Sequence, residues 1–182
     1  MGQLILKALN SLQSKKQRRI LMLGLDAVGK NTILYQMKLQ GQIQNVPTVG
    51  FNIESVEYKN LKLIIWDIVD QWKLKYVWPQ DFYGNNALIY VLDSTDVERM
   101  KDTKQALEMV LESSDMAGIP VLILANKQDI AVFSLSEIQE KLQLHTIKGI
   151  SELYLQGCCA LNGEGIYDGF DWLEKILNKQ QK

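Results

Sequence analysis

The chain has 182 residues and a formal net charge of −1, with 47% hydrophobic and 23% charged residues. This length favours one compact domain with a sizeable core, and the composition is typical of a globular protein. The balanced charge gives no indication of nucleic-acid binding. No apolar run approaches the roughly 20 residues of a membrane span. The adjacent pair Cys158 and Cys159 favours a reducing, cytosolic compartment over a disulfide framework.

The first 17 residues are predicted to be an amphipathic helix with a basic linker, preceding a single compact domain at 18–182. Gly2 is available for myristoylation, although Leu6 departs from the usual Ser or Thr. A basic run at 15–19 follows an apolar helical face formed by Leu4, Ile5, Ala8, Leu9 and Leu12. Such a helix lies in a membrane interface, so residues 2–19 are predicted to contact a membrane surface. The alternative is permanent packing in a groove of the chain's own domain.

A phosphate-loop pattern, Gly24-Leu-Asp-Ala-Val-Gly-Lys-Asn31, lies between a predicted strand at Arg19–Leu23 and a predicted helix at Thr32–Leu39. In such loops backbone N–H groups, the lysine and the helix N-terminus all face phosphates. The closing residue is normally Ser or Thr, whose hydroxyl ligates Mg²⁺. Asn31 places an amide there instead. We therefore predict a nucleotide site with an altered metal end, rather than an ordinary glycine turn.

Strand-like and helix-like segments mostly alternate through the rest of the chain. The predicted strands are Phe51–Tyr58, Leu61–Asp67, Ala87–Asp93, Pro120–Asn126 and Glu152–Cys158. The predicted helices are Lys73–Phe82, which Pro79 should shorten or kink, Val97–Ser113, Ser136–Leu142 and Gly165–Lys179. This order predicts an α/β fold with a mainly parallel sheet and helices on both faces. Ligands in such sheets bind at the carboxyl ends of the strands.

The tetrapeptide Asn126-Lys-Gln-Asp129 follows one of these buried strands. A carboxylate at Asp129 accepts paired hydrogen bonds from the ring N–H and exocyclic amine of guanine, a pair that adenine does not offer. Lys127 can lay its methylene stem along the base. The tetrapeptide alone is weak evidence, because Asn and Asp are common turn residues. About 100 residues after a phosphate loop, at a strand end, it indicates guanine recognition.

Together these motifs resemble the ADP-ribosylation factor (Arf) family of small GTP-binding proteins. The similarity extends from Gly2 to about Lys179. Besides the two loops above, it rests on Pro47-Thr-Val-Gly-Phe-Asn52, Val56-Glu-Tyr-Lys-Asn60, Trp66-Asp67, Cys159-Ala160 and Gly169-Phe-Asp-Trp-Leu173. The resemblance implies the small-GTPase fold, with a six-stranded, mainly parallel sheet that has one antiparallel edge strand.

The resemblance also implies a role for each matching residue around GDP or GTP and Mg²⁺. Gln71 would orient the attacking water. The Mg²⁺ ligands would be Asn31, Thr48 and, through water, Asp67. The nucleotide-binding positions would be Gly24, Asp26, Ala27, Val28, Gly29, Lys30, Asn31, Thr32, Thr48, Asp70, Asn126, Lys127, Asp129, Cys159 and Ala160. The family further implies a myristoylated Gly2, Golgi membranes, vesicle traffic, and an exchange factor, an activating protein and effectors that the sequence does not identify.

Three departures from the family cluster at the metal and the γ-phosphate. Asn31 replaces a threonine, and Val69 and Asp70 replace two glycines in Asp67-Ile-Val-Asp-Gln71. Val69 restricts a backbone that the family keeps free, and Asp70 brings a carboxylate toward a phosphate. These changes predict a switch that favours GDP. The alternatives are a re-routed backbone that tolerates the changes, and a normal GTPase cycle.

Three classes of function therefore remain open on the sequence. The chain could be a cycling GTPase, or a GDP-bound or nucleotide-poor protein that occupies an exchange factor or a membrane site. A phosphate-loop kinase is the third class. Asn126–Asp129 and the absence of a recognisable lid or substrate domain both oppose it.

Overall fold

A computed structural model of the chain describes residues 18–39, 43–46, 53–59, 61–66 and 83–180, and at 43–46, 53–57 and 63–66 the backbone alone. These ranges contain seven strands and four α-helices. In chain order they are β1 (Arg18–Leu23), α1 (Lys30–Leu39), β2 (Ile43–Val46), β3 (Ile53–Tyr58), β4 (Leu61–Trp66), β5 (Ala87–Asp93), α2 (Met100–Leu111), β6 (Val121–Asn126), α3 (Leu135–Lys141), β7 (Leu153–Gly157) and α4 (Ile166–Lys179).

The strands form one sheet in the order β2-β3-β4-β1-β5-β6-β7. Neighbours from β4 to β7 are parallel, whereas β3 is antiparallel to both β2 and β4. The predicted α/β small-GTPase fold is confirmed, but the sheet has seven strands where six were predicted. The additional strand, β2, places the antiparallel strand second from the edge. Its sequence, Ile-Gln-Asn-Val, carries little apolar pattern because an edge strand pairs on one side only.

Helices cover both faces of the sheet. Ile89 and Tyr90 are neighbours on β5, so their side chains point to opposite faces. Ile89 pairs in register with Leu122, and the side chain of Leu122 packs against Gly169 of α4. Tyr90 donates a hydrogen bond to the Thr103 carbonyl of α2, 3.1 Å away. α4 and α2 therefore lie on opposite faces, and β5 and β6 between them are buried along their whole length.

Most predicted boundaries lie within two residues of the observed ones, and α2 differs most. It begins at Met100 instead of Val97, because the Asp96 carboxylate accepts a hydrogen bond from the Arg99 backbone N–H and forms a turn before the helix. β1 begins at Arg18, one residue early. Arg18 and Arg19 are consequently half-buried strand residues, and Arg18 donates to the Leu177 carbonyl of α4.

Several predictions lie outside the described residues. They concern the N-terminal helix with Gly2, the helix at 73–82, and positions Thr48, Asp67, Val69, Asp70 and Gln71. Among the helices that the structure describes, none is long and apolar enough to cross a membrane.

Candidate nucleotide-binding site

Residues 24–29 join β1 to α1 in a tight loop. A Cβ at Gly24 would collide with the Val91 carbonyl of β5, and a Cβ at Gly29 would collide with the side-chain amide of Asn126. Gly29 also has a φ of 99°, and its carbonyl accepts a hydrogen bond from Ile33 N at 3.0 Å as α1 begins. The loop can therefore approach its neighbours only with glycines at these positions. It leaves the N-terminus of α1 facing the loop, as an anion site requires.

The Lys30 ammonium is held inside this loop. Its Nζ donates to the carbonyls of Gly24 at 3.1 Å and Leu25 at 2.7 Å, and the side chain is only 3% exposed. Burial of a lysine requires such partners, so the charge is fixed where the loop closes. Asn31 follows on α1 with an exposed side chain. Thr32, one residue further, lines the adjoining pocket.

The Asn126 side chain connects three segments that are far apart in sequence. Its Nδ2 donates to the Val28 carbonyl of the phosphate loop at 2.8 Å, and its Oδ1 accepts from Ala160 N at 2.9 Å. Asn126 is 2% exposed, so both bonds are made away from water, where loss of either would leave a buried polar atom unpaired. Asn126 thus fixes the segment Asn126–Asp129, the predicted guanine loop, against the phosphate loop.

Lys127 combines a left-handed backbone conformation with a side-chain ion pair. Its φ is 65°, and its Nζ lies 2.5 Å from Oδ2 of the buried Asp93 at the end of β5. Burial alone would raise the pKa of Asp93. The hydrogen bonds from Lys127 and Thr95 outweigh burial and hold the pKa below its usual value. Asp93 therefore stays ionised and anchors the lysine tip, which leaves the methylene stem to face the pocket.

Asp129 and Cys159 meet at the base end of the site. The Cys159 thiol donates to Asp129 Oδ1 at 3.2 Å, and both residues line one pocket of about 250 Å³. The volume is slightly below the roughly 300–1,000 Å³ of common ligand pockets, and suits a base whose phosphates lie beyond it. The thiol of the neighbouring Cys158 donates instead to Asn126 Oδ1, 3.7 Å away. Burial, reinforced by the adjacent Cys159, raises the pKa of this thiol to about 12.

The pocket brings together eight of the predicted nucleotide-binding residues. They are Ala27, Gly29, Thr32, Asn126, Lys127, Asp129, Cys159 and Ala160. Five further predicted residues lie in the phosphate loop or at the start of α1: Gly24, Asp26, Val28, Lys30 and Asn31. Thr48 and Asp70 lie outside the described residues.

Sequence reasoning missed two exposed apolar residues in the pocket wall, Ile130 and Leu161. Ile130 directly follows the guanine tetrapeptide, and Leu161 directly follows Cys159-Ala160. Their adjacency to the motifs is the signal that could have revealed them. The buried Asp93 was also missed, because nothing in a strand ending Leu-Asp distinguishes an ion-pair partner from a turn residue.

At the predicted metal end of the site, the feature that fits Mg²⁺ is an oxygen atom that could act as a ligand. Asn31 offers a carboxamide oxygen on an exposed side chain beside Lys30, and oxygen is the ligand type that Mg²⁺ takes. The described part of the chain holds no cluster of three His, Cys, Asp or Glu residues that could bind a metal. The other predicted ligands, Thr48 and Asp67, lie outside it.

A phosphate loop, a guanine loop and a parallel sheet that joins them define a guanine-nucleotide-binding protein of the small-GTPase class. The family model of the ADP-ribosylation factor family matches residues 5–177. ADP-ribosylation factors J and K of Dictyostelium discoideum are each 43% identical to this chain over 169 residues, which cover 92% of this chain and 89% of theirs. The chain belongs to the ADP-ribosylation factor family and is a GTP-binding protein of that family.

Proposed function

We propose that this chain is a switch protein of membrane traffic that favours GDP, loads GTP weakly and hydrolyses it slowly. The observation that carries the proposal is Asn31, which stands directly after the loop lysine with an exposed amide where the metal-ligating hydroxyl belongs. Mg²⁺ demands near-ideal octahedral geometry, and the reach and angle of an amide oxygen differ from those of a hydroxyl.

The γ-phosphate position adds to this preference. Asp70 would bring a second negative charge toward that phosphate, and Val69 would stiffen the backbone beside it. Like charges about 4 Å apart repel by roughly 4 kcal/mol at an effective dielectric near 20, and by about 1 kcal/mol in water. GDP lacks the γ-phosphate and largely avoids the repulsion. Gln71 does not restore hydrolysis, because a water-orienting residue acts only beside a bound γ-phosphate.

The experiment that tests the proposal measures nucleotide content and release. The protein is purified gently with Mg²⁺, the bound nucleotide is identified by chromatography, and GDP and GTP dissociation rates are compared at physiological Mg²⁺. We expect the purified protein to contain GDP. GTP should dissociate at least about tenfold faster than GDP, because a repulsion of about 1.4 kcal/mol corresponds to a factor of ten. Equal rates with normal hydrolysis would favour a cycling GTPase. An empty protein that captures an exchange factor would favour the nucleotide-poor alternative.

We also propose that residues 2–19 bind the surface of an intracellular membrane, the Golgi by family resemblance, with a myristoylated Gly2. Arg18 and Arg19 are half-buried in β1, so the basic contribution comes mainly from Lys7, Lys15 and Lys16. These lysines accompany the apolar helical face and would attract anionic lipids.

Deleting residues 2–14 is expected to abolish sedimentation with liposomes, because it removes the apolar face. For the full chain, anionic lipid should strengthen binding. The matched control replaces Lys104 on α2 by Gln, which removes an equal charge outside residues 2–19 and should leave sedimentation unchanged. Equal sedimentation of the intact and shortened proteins would favour the alternative, a helix that packs against its own domain.

A further inference from the structure

The segment Asp93–Arg99, which joins β5 to α2, contacts both halves of the nucleotide site. On the guanine side, Asp93 pairs with Lys127. Ser94 is fully buried, and its Oγ accepts from Gln128 Nε2 at 2.7 Å. The Ser94 carbonyl also accepts from the backbone N–H groups of Val132 and Phe133. The guanine loop therefore rests on this segment.

On the phosphate side, the same segment ends in Arg99. Its NH1 donates to Asp26 Oδ1 at 2.8 Å, and its NH2 donates to the Asp26 carbonyl at 3.4 Å. The guanidinium is oriented by Asp96, whose Oδ2 accepts from Arg99 Nε at 2.6 Å and whose Oδ1 accepts from Arg99 N at 3.0 Å. A planar guanidinium that Asp96 holds in place is pre-organised to pair with Asp26.

The contact between Arg99 and Asp26 pairs opposite charges beside the predicted phosphate site. Asp26 is a carboxylate in the loop that faces the phosphates, so an unpaired Asp26 would repel them. Arg99 is the cation in contact with it among the residues that the structure describes. The pair is partly open to water, with side-chain exposures of 34% for Arg99 and 56% for Asp26. Its effect on binding should therefore be moderate and should depend on salt.

We infer that Arg99 is a positioning residue that braces the phosphate loop and neutralises Asp26, and that it thereby lengthens the time for which nucleotide stays bound. Neither Arg99 nor Asp26 lines the base pocket, so Arg99 acts through the loop. The inference rests on the binding of guanine nucleotide proposed for this site.

The test compares release of a fluorescent GDP analogue from the full-length protein and its variants. Arg99→Gln should release it roughly three- to tenfold faster than wild type, and Arg99→Lys should fall between the two. Adding Asp26→Asn to Arg99→Gln should slow release again, because no unpaired carboxylate remains. High salt should narrow the difference between wild type and Arg99→Gln. A general loss of stability would predict neither the rescue nor the effect of salt.

Lys104→Gln is the matched control. Lys104 also forms a salt bridge on α2, with Glu108 at 3.7 Å, and donates to Gln143 at 2.6 Å, away from both loops. It should release nucleotide at the wild-type rate. If wild type binds GDP and Arg99→Gln releases it at the same rate as Lys104→Gln, this inference is overturned but the proposed function is not. Fast release from Arg99→Gln without rescue by Asp26→Asn would overturn the charge argument. A wild type that binds no guanine nucleotide would overturn the proposed function and this inference together.

Discussion

Asp129→Asn is expected to lower GDP affinity about 100-fold or more and to raise affinity for XDP. The Asp129 carboxylate lies in the pocket wall beside Cys159, where it can accept both N–H groups of the guanine edge. An amide presents one oxygen and one NH₂ group, so the donor pair of guanine would face a donor. An unpaired buried polar group costs about 1–3 kcal/mol, and more when a charge is involved. Xanthine carries an oxygen in place of the exocyclic amine and would accept from the new NH₂ group.

The measurement is the dissociation constant of GDP and XDP for wild type and variant. Asp102→Asn is a suitable control, because Asp102 is a partly exposed carboxylate in the first turn of α2 and loses the same charge without lining the pocket. It should leave both affinities unchanged. If Asp129→Asn and Asp102→Asn show the same preference for GDP over XDP, Asp129 does not recognise the base. Lys127 and the backbone of the guanine loop would then have to do so.

Restoring glycine at 69 and 70 together is expected to recover GTP affinity by tenfold or more with little effect on GDP. Asp70 is proposed to lie beside the γ-phosphate, which only GTP carries, and removing a like charge about 4 Å away would relieve roughly 1–4 kcal/mol. Asn31→Thr should act differently. Position 31 is the proposed metal-ligand position, so a hydroxyl there should slow the release of both nucleotides in Mg²⁺ but not in chelator. The triple variant should exceed each partial one, because metal and γ-phosphate are expected to bind as a unit.

The measurement is the dissociation rate of GDP and of GTP, with and without chelator. It is made for wild type, the glycine pair, Asn31→Thr and the triple variant. Asn31→Gln is a useful control, because it keeps an amide and lengthens the side chain. In Mg²⁺, Asn31→Gln should release both nucleotides no more slowly than wild type. If the glycine pair changes GDP and GTP release equally, Asp70 does not face the γ-phosphate. The re-routed backbone would then be the better explanation.

The two nucleotide motifs could be predicted from sequence because each is local. Gly24 to Lys30 is short, and its chemistry depends on backbone N–H groups and one lysine in a fixed order. The proposed selection of guanine by Asp129 needs no distant partner. Strands β5 and β6 were also predicted closely, since continuous apolar runs have few alternatives in a parallel sheet. β2 was missed because pairing at a sheet edge depends on the neighbouring backbone more than on its own side chains.

What the sequence by itself determined is therefore the class of ligand, the α/β fold and the family, all of which depend on short motifs in a recognisable order. Tertiary structure alone decided how these motifs meet. Asn126 reaches Val28 across 98 residues of sequence, and Arg99 reaches Asp26 across 73. The physical reason is that parallel strands bring their carboxyl ends together whatever their separation in the chain. Contacts between those ends are set by sheet order and register, and no local pattern encodes them.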